Sequence, residues 1–162
     1  LKMPYNLMSG KIDEVIVAVV EAGSDIRSAI EEVAKKEGLA SGIVLSGIGT
    51  LKRAVLRNPK TDSIPPEVSL IEIDGPVELL SLEGNISIGI PEGPDARGGE
   101  SINVHLHAIV SNKEGRTFGG SVASGNIVWR QVELAIARIS GVALRREREQ
   151  KTGLTRLVLR KT

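Results

Sequence analysis

Along most of this chain apolar residues alternate with polar ones or gather in short β-branched blocks, and one early stretch keeps a helical period. Residues 12–20, IDEVIVAVV, form such a block and predict a strand. Glu21, Ala22 and Gly23 then turn the chain. Ile26, Ala29, Ile30, Val33 and Ala34 follow at i, i+3, i+4, i+7 and i+8, which is one apolar stripe on a helix spanning about residues 25–37. Ser24 or Asp25 supplies an N-cap oxygen for its first amides. Glu31 with Lys35, and Glu32 with Lys36, line the wet face in the favourable order. Gly38 stands where the left-handed residue past a helix end belongs.

The rest of the pattern reads as strands and turns. SGIVLSGIGTLKRAVLRNP predicts a strand, a glycine turn and a second strand ended by Pro59, with Gly42, Gly47 and Gly49 marking close backbone approach or positive φ. KTDSIPPEVS is a loop, because Pro65 and Pro66 disfavour helix and interior strand. VSLIEIDG predicts a strand and PVELLSLEGNISI one or two more. PEGPDARGGE, residues 91–100, holds three glycines and two prolines and predicts a flexible loop. INVHLHAIV is a strand, and SNKEGRT turns at Gly115. RQVELAIAR alternates Val132, Leu134 and Ile136 against Glu133, Ala135 and Ala137. Its Ala, Glu and Leu also permit a helix, but the alternation favours a strand. VALRRERE and LTRLVLR flank QKTG as a closing hairpin. One helix, many strands and no βαβ rhythm predict an α+β fold built on a mostly antiparallel sheet. We expect one domain over residues 12–162 after an N-terminal segment, 1–11.

Composition narrows the chemistry. The chain has 162 residues, 21 Lys+Arg against 20 Asp+Glu, and no cysteine. Near-neutral charge gives no global attraction to nucleic acid or acidic membranes. The missing thiols exclude disulfides, iron–sulfur clusters and a cysteine nucleophile, and fit a cytoplasmic location. There is no apolar run of membrane-spanning length and no signal-peptide pattern at the start. The aromatic rings are Tyr5, Phe118 and Trp129, few for base stacking on single strands. GIGT lacks the third glycine of a dinucleotide loop. GGSVASG is not the G-x-S-x-G nucleophile elbow, so no enzyme mechanism is indicated.

Both histidines stand on one predicted strand. Alternate strand residues share a face, so His105 and His107 are neighbours with Asn103 before them, while Val104, Leu106, Ala108 and Val110 point to the core. Two such imidazoles suit chelation of one divalent cation such as zinc, but they supply half of a tetrahedral shell. Glu100, Asp95 or another subunit would have to complete it. The same pair suits a polar pocket that holds no metal, or a purely structural place on the open face of the sheet, and the pocket is the preferred reading.

IEEVAKKEGLASGIVLSGIGTLKRAVLRNP, PVELLSLEGNIS and HLHAIVSNKEGRTFGGSVASG come in the order found in the PPC (plant and prokaryote conserved) domain. The resemblance covers about residues 12–160, with SGIGTLKRAVLRNP and EGRTFGG its most specific pieces. It implies a curved antiparallel sheet with flanking helices, assembled as a homotrimer. It also implies a DNA-binding or regulatory module, since plant members carry the domain beside AT-hooks. No Arg-Gly-Arg-Pro hook occurs here. Some prokaryotic members resemble metal binders through the H-x-H pair and a third histidine, whose position matches Ser121 in this chain. A ligand pocket or degenerate metal site would then comprise Asn103, His105, His107 and Ser121.

DNA contact would fall to a second cluster. Eight basic residues lie between Arg138 and Lys161 against Glu147 and Glu149. Arg145, Arg146, Arg148 and Lys151 are the candidate phosphate contacts. A self-paired charged edge that resists aggregation is the alternative.

Overall fold

The helix forms over Ile26–Lys36 (α1), and its caps account for both ends. The Asp25 carboxylate accepts from the Ser28 amide at 3.1 Å and, through its other oxygen, from the Gly125 amide at 2.7 Å. The cap thus also ties the helix to a distant turn. At the other end Gly38 takes φ +60, its N–H donates to Lys35 O, and Leu39 N–H donates to Ala34 O. Those two bonds complete a Schellman motif. Ile26, Ile30 and Ala34 are buried against the sheet. The computed structural model describes residues 5–90 and 100–162. The predicted loop at 91–99 lies outside the described residues.

Among the described residues eight strands make the sheet: β1 Lys11–Glu21, β2 Gly42–Pro59, β3 Val68–Gly89, β4 Ser101–Ser111, β5 Thr117–Val122, β6 Ile127–Ser140, β7 Val142–Arg148 and β8 Thr155–Lys161. Their order is β1-β6-β2-β5-β4-β3-β7-β8, with β2 also pairing β3. All pairs are antiparallel except β3 with β7. The pairings β2–β3–β4–β5–β2 close on themselves, so the sheet curls strongly. Its concave face holds the core, with Leu82, Ile86, Val110, Leu134 and Ile136 at 2% exposure or less, and α1 covers that face. Among the described residues α1 is the only helix, so the architecture is mostly β, without the plural flanking helices expected. Among the described residues no helix is long and apolar enough to cross a membrane.

Two expectations about glycine change. Residues 42–59 form one strand, not two strands joined by a turn. Gly49, at φ +152, sits among β-bulges, and a Cβ there would lie 2.3 Å from Gln131 O. The glycine marks a close cross-strand approach instead of a reversal. Residues 68–89 are likewise one strand. Gly84 in it lies so close to β4 that a Cβ would meet His105 O at 2.0 Å. That approach presses the histidine strand onto β3.

Candidate functional site

Antiparallel partners that stand directly opposite project to the same side of a sheet. His107 opposes Glu83 on β3 and Ser121 on β5, and Ser121 opposes Arg57 on β2. Glu83, His107, Ser121 and Arg57 therefore form one row across four strands on the face away from α1. His105 opposes Asn85, which opposes Ile43, Ala137 and Val15 in turn. The second row thus runs from a histidine at one end to exposed aliphatic residues at the other. Side chains packed beneath the histidines are Val104, Leu106, Ala108 and Val110, all at 5% exposure or less. This is the alternation expected from INVHLHAIV.

The two imidazoles face each other. Their Nε2 atoms are 3.3 Å apart, and their ring planes tilt by 48° with centroids 5.2 Å apart. Two zinc–nitrogen bonds of about 2.0–2.1 Å at a tetrahedral angle put the nitrogens about 3.3 Å apart. The separation fits a hydrogen bond from one protonated Nε2 to the other, and it also fits two donors to one cation where both rings carry their proton on Nδ1. Burial, and then the charge of His105, hold the His107 pKa below the ordinary 6.5. Both effects favour the neutral ring that a metal needs. Among the described residues no group of three or more His, Cys, Asp or Glu is arranged around a metal position. Glu83 shares the row, but its Oε1 accepts from Ser81 Oγ at 3.1 Å. Glu100 is engaged with Arg145, and Asp95 lies outside the described residues. The described residues thus offer two positions of a shell.

Asn103 is 3% exposed, and its amide donates to the carbonyls of Gly89 and Ser101. It shares the imidazole face by alternation, and its amide is committed to holding β4 to the end of β3. The basic candidates separate. Arg145 pairs with Glu100. Arg146, at 7% exposure, sits on the inward side of β7 with Val142 and Leu144, and its Nη2 donates to Asn85 Oδ1 at 2.9 Å. Arg156 pairs with Glu149 and Arg160 with Glu147, which is the self-paired edge. Arg148 and Lys151 stay exposed near the hairpin turn, with no acidic partner among the described residues.

Arg57 and Asn85 complete the histidine face, and neither stands out in the sequence. Arg57 lies in a strand rich in basic and apolar residues, with nothing local that points to position 121. Its register comes from side chains elsewhere. Asn58 Nδ2 donates to Gly119 O at 2.9 Å, and Asn126 clamps Val55 by bonds to both its N–H and its C=O.

The Plants and Prokaryotes Conserved (PCC) domain pattern matches residues 7–140. A bifunctional protein GlmU from Synechococcus sp. (strain JA-3-3Ab) is 27% identical over 139 residues, which is 86% of this chain and 19% of that protein. The chain therefore spans about a fifth of the length of the curated relatives it matches. A plant- and prokaryote-conserved protein from Pyrococcus horikoshii superposes with a TM-score of 0.75 at 26% identity, covering 98% of this chain and 100% of that one. A metal-containing protein from Archaeoglobus fulgidus gives 0.75 at 23% identity, covering 95% and 99%. A candidate DNA-binding protein from Bacteroides thetaiotaomicron gives 0.69 at 20% identity, covering 94% and 98%.

Proposed function

The chain belongs to the Plants and Prokaryotes Conserved domain family, and from that footing we propose that it acts as a DNA-binding or regulatory module, a cytoplasmic homotrimer that contacts the phosphates of duplex DNA. The observation that carries this reading is the tip of the β7–β8 hairpin, where Arg148 and Lys151 are exposed cations without acidic partners among the described residues. Relatives described as candidate DNA-binding proteins support it. The other basic residues of the hairpin are largely neutralised or buried, so each copy presents few contacts and affinity depends on assembly.

A surface for assembly is available. Val15, Val17 and Val19 on β1 share the open face with Ile43 and Ile48, and Val17 is 76% exposed. An open patch of this kind marks an interaction site. The number of copies, three, comes from the family resemblance. Six phosphate contacts per trimer would give a slope of about −5 in log K against log salt. Fluorescence anisotropy of a labelled duplex across a salt series tests this. Arg148→Gln with Lys151→Gln should abolish binding. Undetectable affinity at low salt, or binding indifferent to both changes, defeats the reading.

A second reading rests on the 3.3 Å Nε2–Nε2 separation. By it, His105 and His107 hold a divalent cation such as zinc on the same open face, with Ser121 across the ladder from His107.

A further inference from the structure

Beside Thr50, strand β6 leaves its ladder with β2. Between the pairs Gly49–Val132 and Leu51–Val128, three residues of β6 stand opposite the single Thr50. A bulge re-aims its side chains, and Trp129, Arg130 and Gln131 are all exposed here. Trp129 is 48% exposed, unusual for so large a ring. Two hollows meet at Thr50. The smaller, about 190 Å³, is lined by Trp129 and Pro76, by the row Thr50, Glu78 and Ser111, and by Asn112 and Lys113. The larger, about 570 Å³, is lined by Gly49, Arg130, Gln131 and Glu133. A cavity of about 150 Å³ holds a benzene ring, so the smaller hollow takes one six-membered ring. The larger falls within the range of about 300–1,000 Å³ that small-molecule sites occupy.

The polar groups around these hollows are largely left over from the fold. The Glu78 carboxylate and the Arg130 guanidinium have no hydrogen-bond or ion-pair partner among the described residues. Asn112 Oδ1 accepts from the amides of Glu114 and Arg116 at 3.2 and 2.9 Å. Those bonds fix which end of the amide is oxygen and leave Nδ2 as an unspent donor among the described residues. Lys113 meets Glu114 only at 3.6 Å, with both side chains exposed.

We propose that this bulge binds a neutral saccharide. One pyranose ring lies with its C–H face on the Trp129 indole, and a second unit extends into the larger hollow beside Arg130. A pyranose has an apolar face, and every hydroxyl on its edge both donates and accepts. It therefore calls for an aromatic plane flanked by acceptors and donors together. Glu78 is the acceptor, Asn112 Nδ2 and Lys113 Nζ are donors, and the hydroxyls of Thr50 and Ser111 serve either way. Charge argues against an anionic ligand such as a nucleotide. Arg130 and Lys113 are balanced by Glu78 and Glu133, so a phosphate in either hollow would stand beside a carboxylate. The site is independent of the DNA and cation readings, because neither hollow is lined by Arg148, Lys151 or a histidine.

Trp129 is the single tryptophan, so its emission reports the site directly. The protein is titrated with the methyl glycosides of glucose, galactose and N-acetylglucosamine, with cellobiose, lactose and chitobiose, and with AMP. The series runs to about 50 mM, because a one-ring ligand in an open site binds at about the millimolar level. The expected result is a saturable emission change with at least one sugar, tighter for its disaccharide, and none with AMP. Glu78→Gln should raise the midpoint about tenfold, and Arg130→Gln should remove only the gain from the second unit. Followed by calorimetry, Trp129→Ala should lose the binding that wild type shows. The side chains of Glu78 and Arg130 make no bond among the described residues, so both variants should unfold at the wild-type urea concentration. No emission change with any of the six sugars, or a Glu78→Gln midpoint equal to wild type, overturns the proposal. A response to AMP alone also overturns it and puts a nucleotide in its place.

Discussion

Asn126 holds together the part of the sheet that carries Ser121 and Arg57, and its removal has a calculable effect. The residue is 2% exposed. Its Oδ1 accepts from Val55 N–H at 3.0 Å, and its Nδ2 donates to Val55 O at 2.9 Å and to Ala123 O at 2.7 Å. In Asn126→Ala the Val55 carbonyl keeps the Ala123 amide at 3.1 Å. The Val55 N–H, on a residue 5% exposed, loses its acceptor. An orphaned buried donor costs about 1–3 kcal/mol and each further lost bond about 1 kcal/mol, so the sum is about 4 kcal/mol. With a urea slope of about 2 kcal/mol/M, the midpoint should fall by roughly 2 M. Trp129, the single tryptophan, supplies the fluorescence signal. Wild type and variant must be compared at one protein concentration, because association would add to apparent stability. Asn126→Asp retains the acceptor for Val55 N–H but sets an oxygen against two carbonyls, so it should lose a comparable amount. A midpoint change under about 0.3 M in Asn126→Ala would refute the clamp.

Two further outcomes follow from the open face. The native pKa of His107 lies below the ordinary 6.5, by burial first and then by His105, so the unfolded chain takes up the proton more readily than the native one. Stability from this residue is complete above 6.5 and is lost as pH falls from there toward the native value; urea midpoints should decline over that window and His107→Gln should flatten the decline, whereas an unchanged profile contradicts the assignment. Val17→Lys places a charge in the middle of the exposed valines of β1. Light scattering should show an associated wild type and a folded monomeric variant, and a monomeric wild type would remove the homotrimer.

The helix and the histidine strand were legible in the sequence because their signals are local. The stripe from Ile26 to Ala34 and the cap at Asp25 lie within one short segment, and alternation alone separates His105 and His107 from Val104 and Leu106. Strand continuity was less legible. Gly47 and Gly49 look like a turn, yet β2 runs through both, because glycine serves a close neighbour as readily as a reversal. That neighbour, Val132, is remote in sequence. The site beyond the histidines was hidden for the same reason. Arg57 meets Ser121 across 64 positions and Glu83 meets His107 across 24, through registers set by Asn126, Asn58 and the tight packing at Gly84. Arg146 was misleading in the other direction. A run of arginines suggests a solvated basic face, but β7 turns alternate members inward, and Arg146 is buried on Asn85.

The open face joins the questions of assembly and ligand. Val15, Ala137, Ile43, Asn85 and His105 make one row over five strands. A second copy that covers the valine end and extends along this row would also cover the histidine end. Its presence would exclude water there and strengthen any charged interaction that the histidines make. By linkage, a cation or anion that prefers the covered face favours association in equal measure. The Val17→Lys monomer exposes this coupling, since it leaves His105, His107, Ser121 and Arg57 intact. If assembly contributes to the site, the monomer binds cobalt(II) more weakly than wild type. Equal binding would mean that the row is complete within one chain and that the apolar end serves assembly alone.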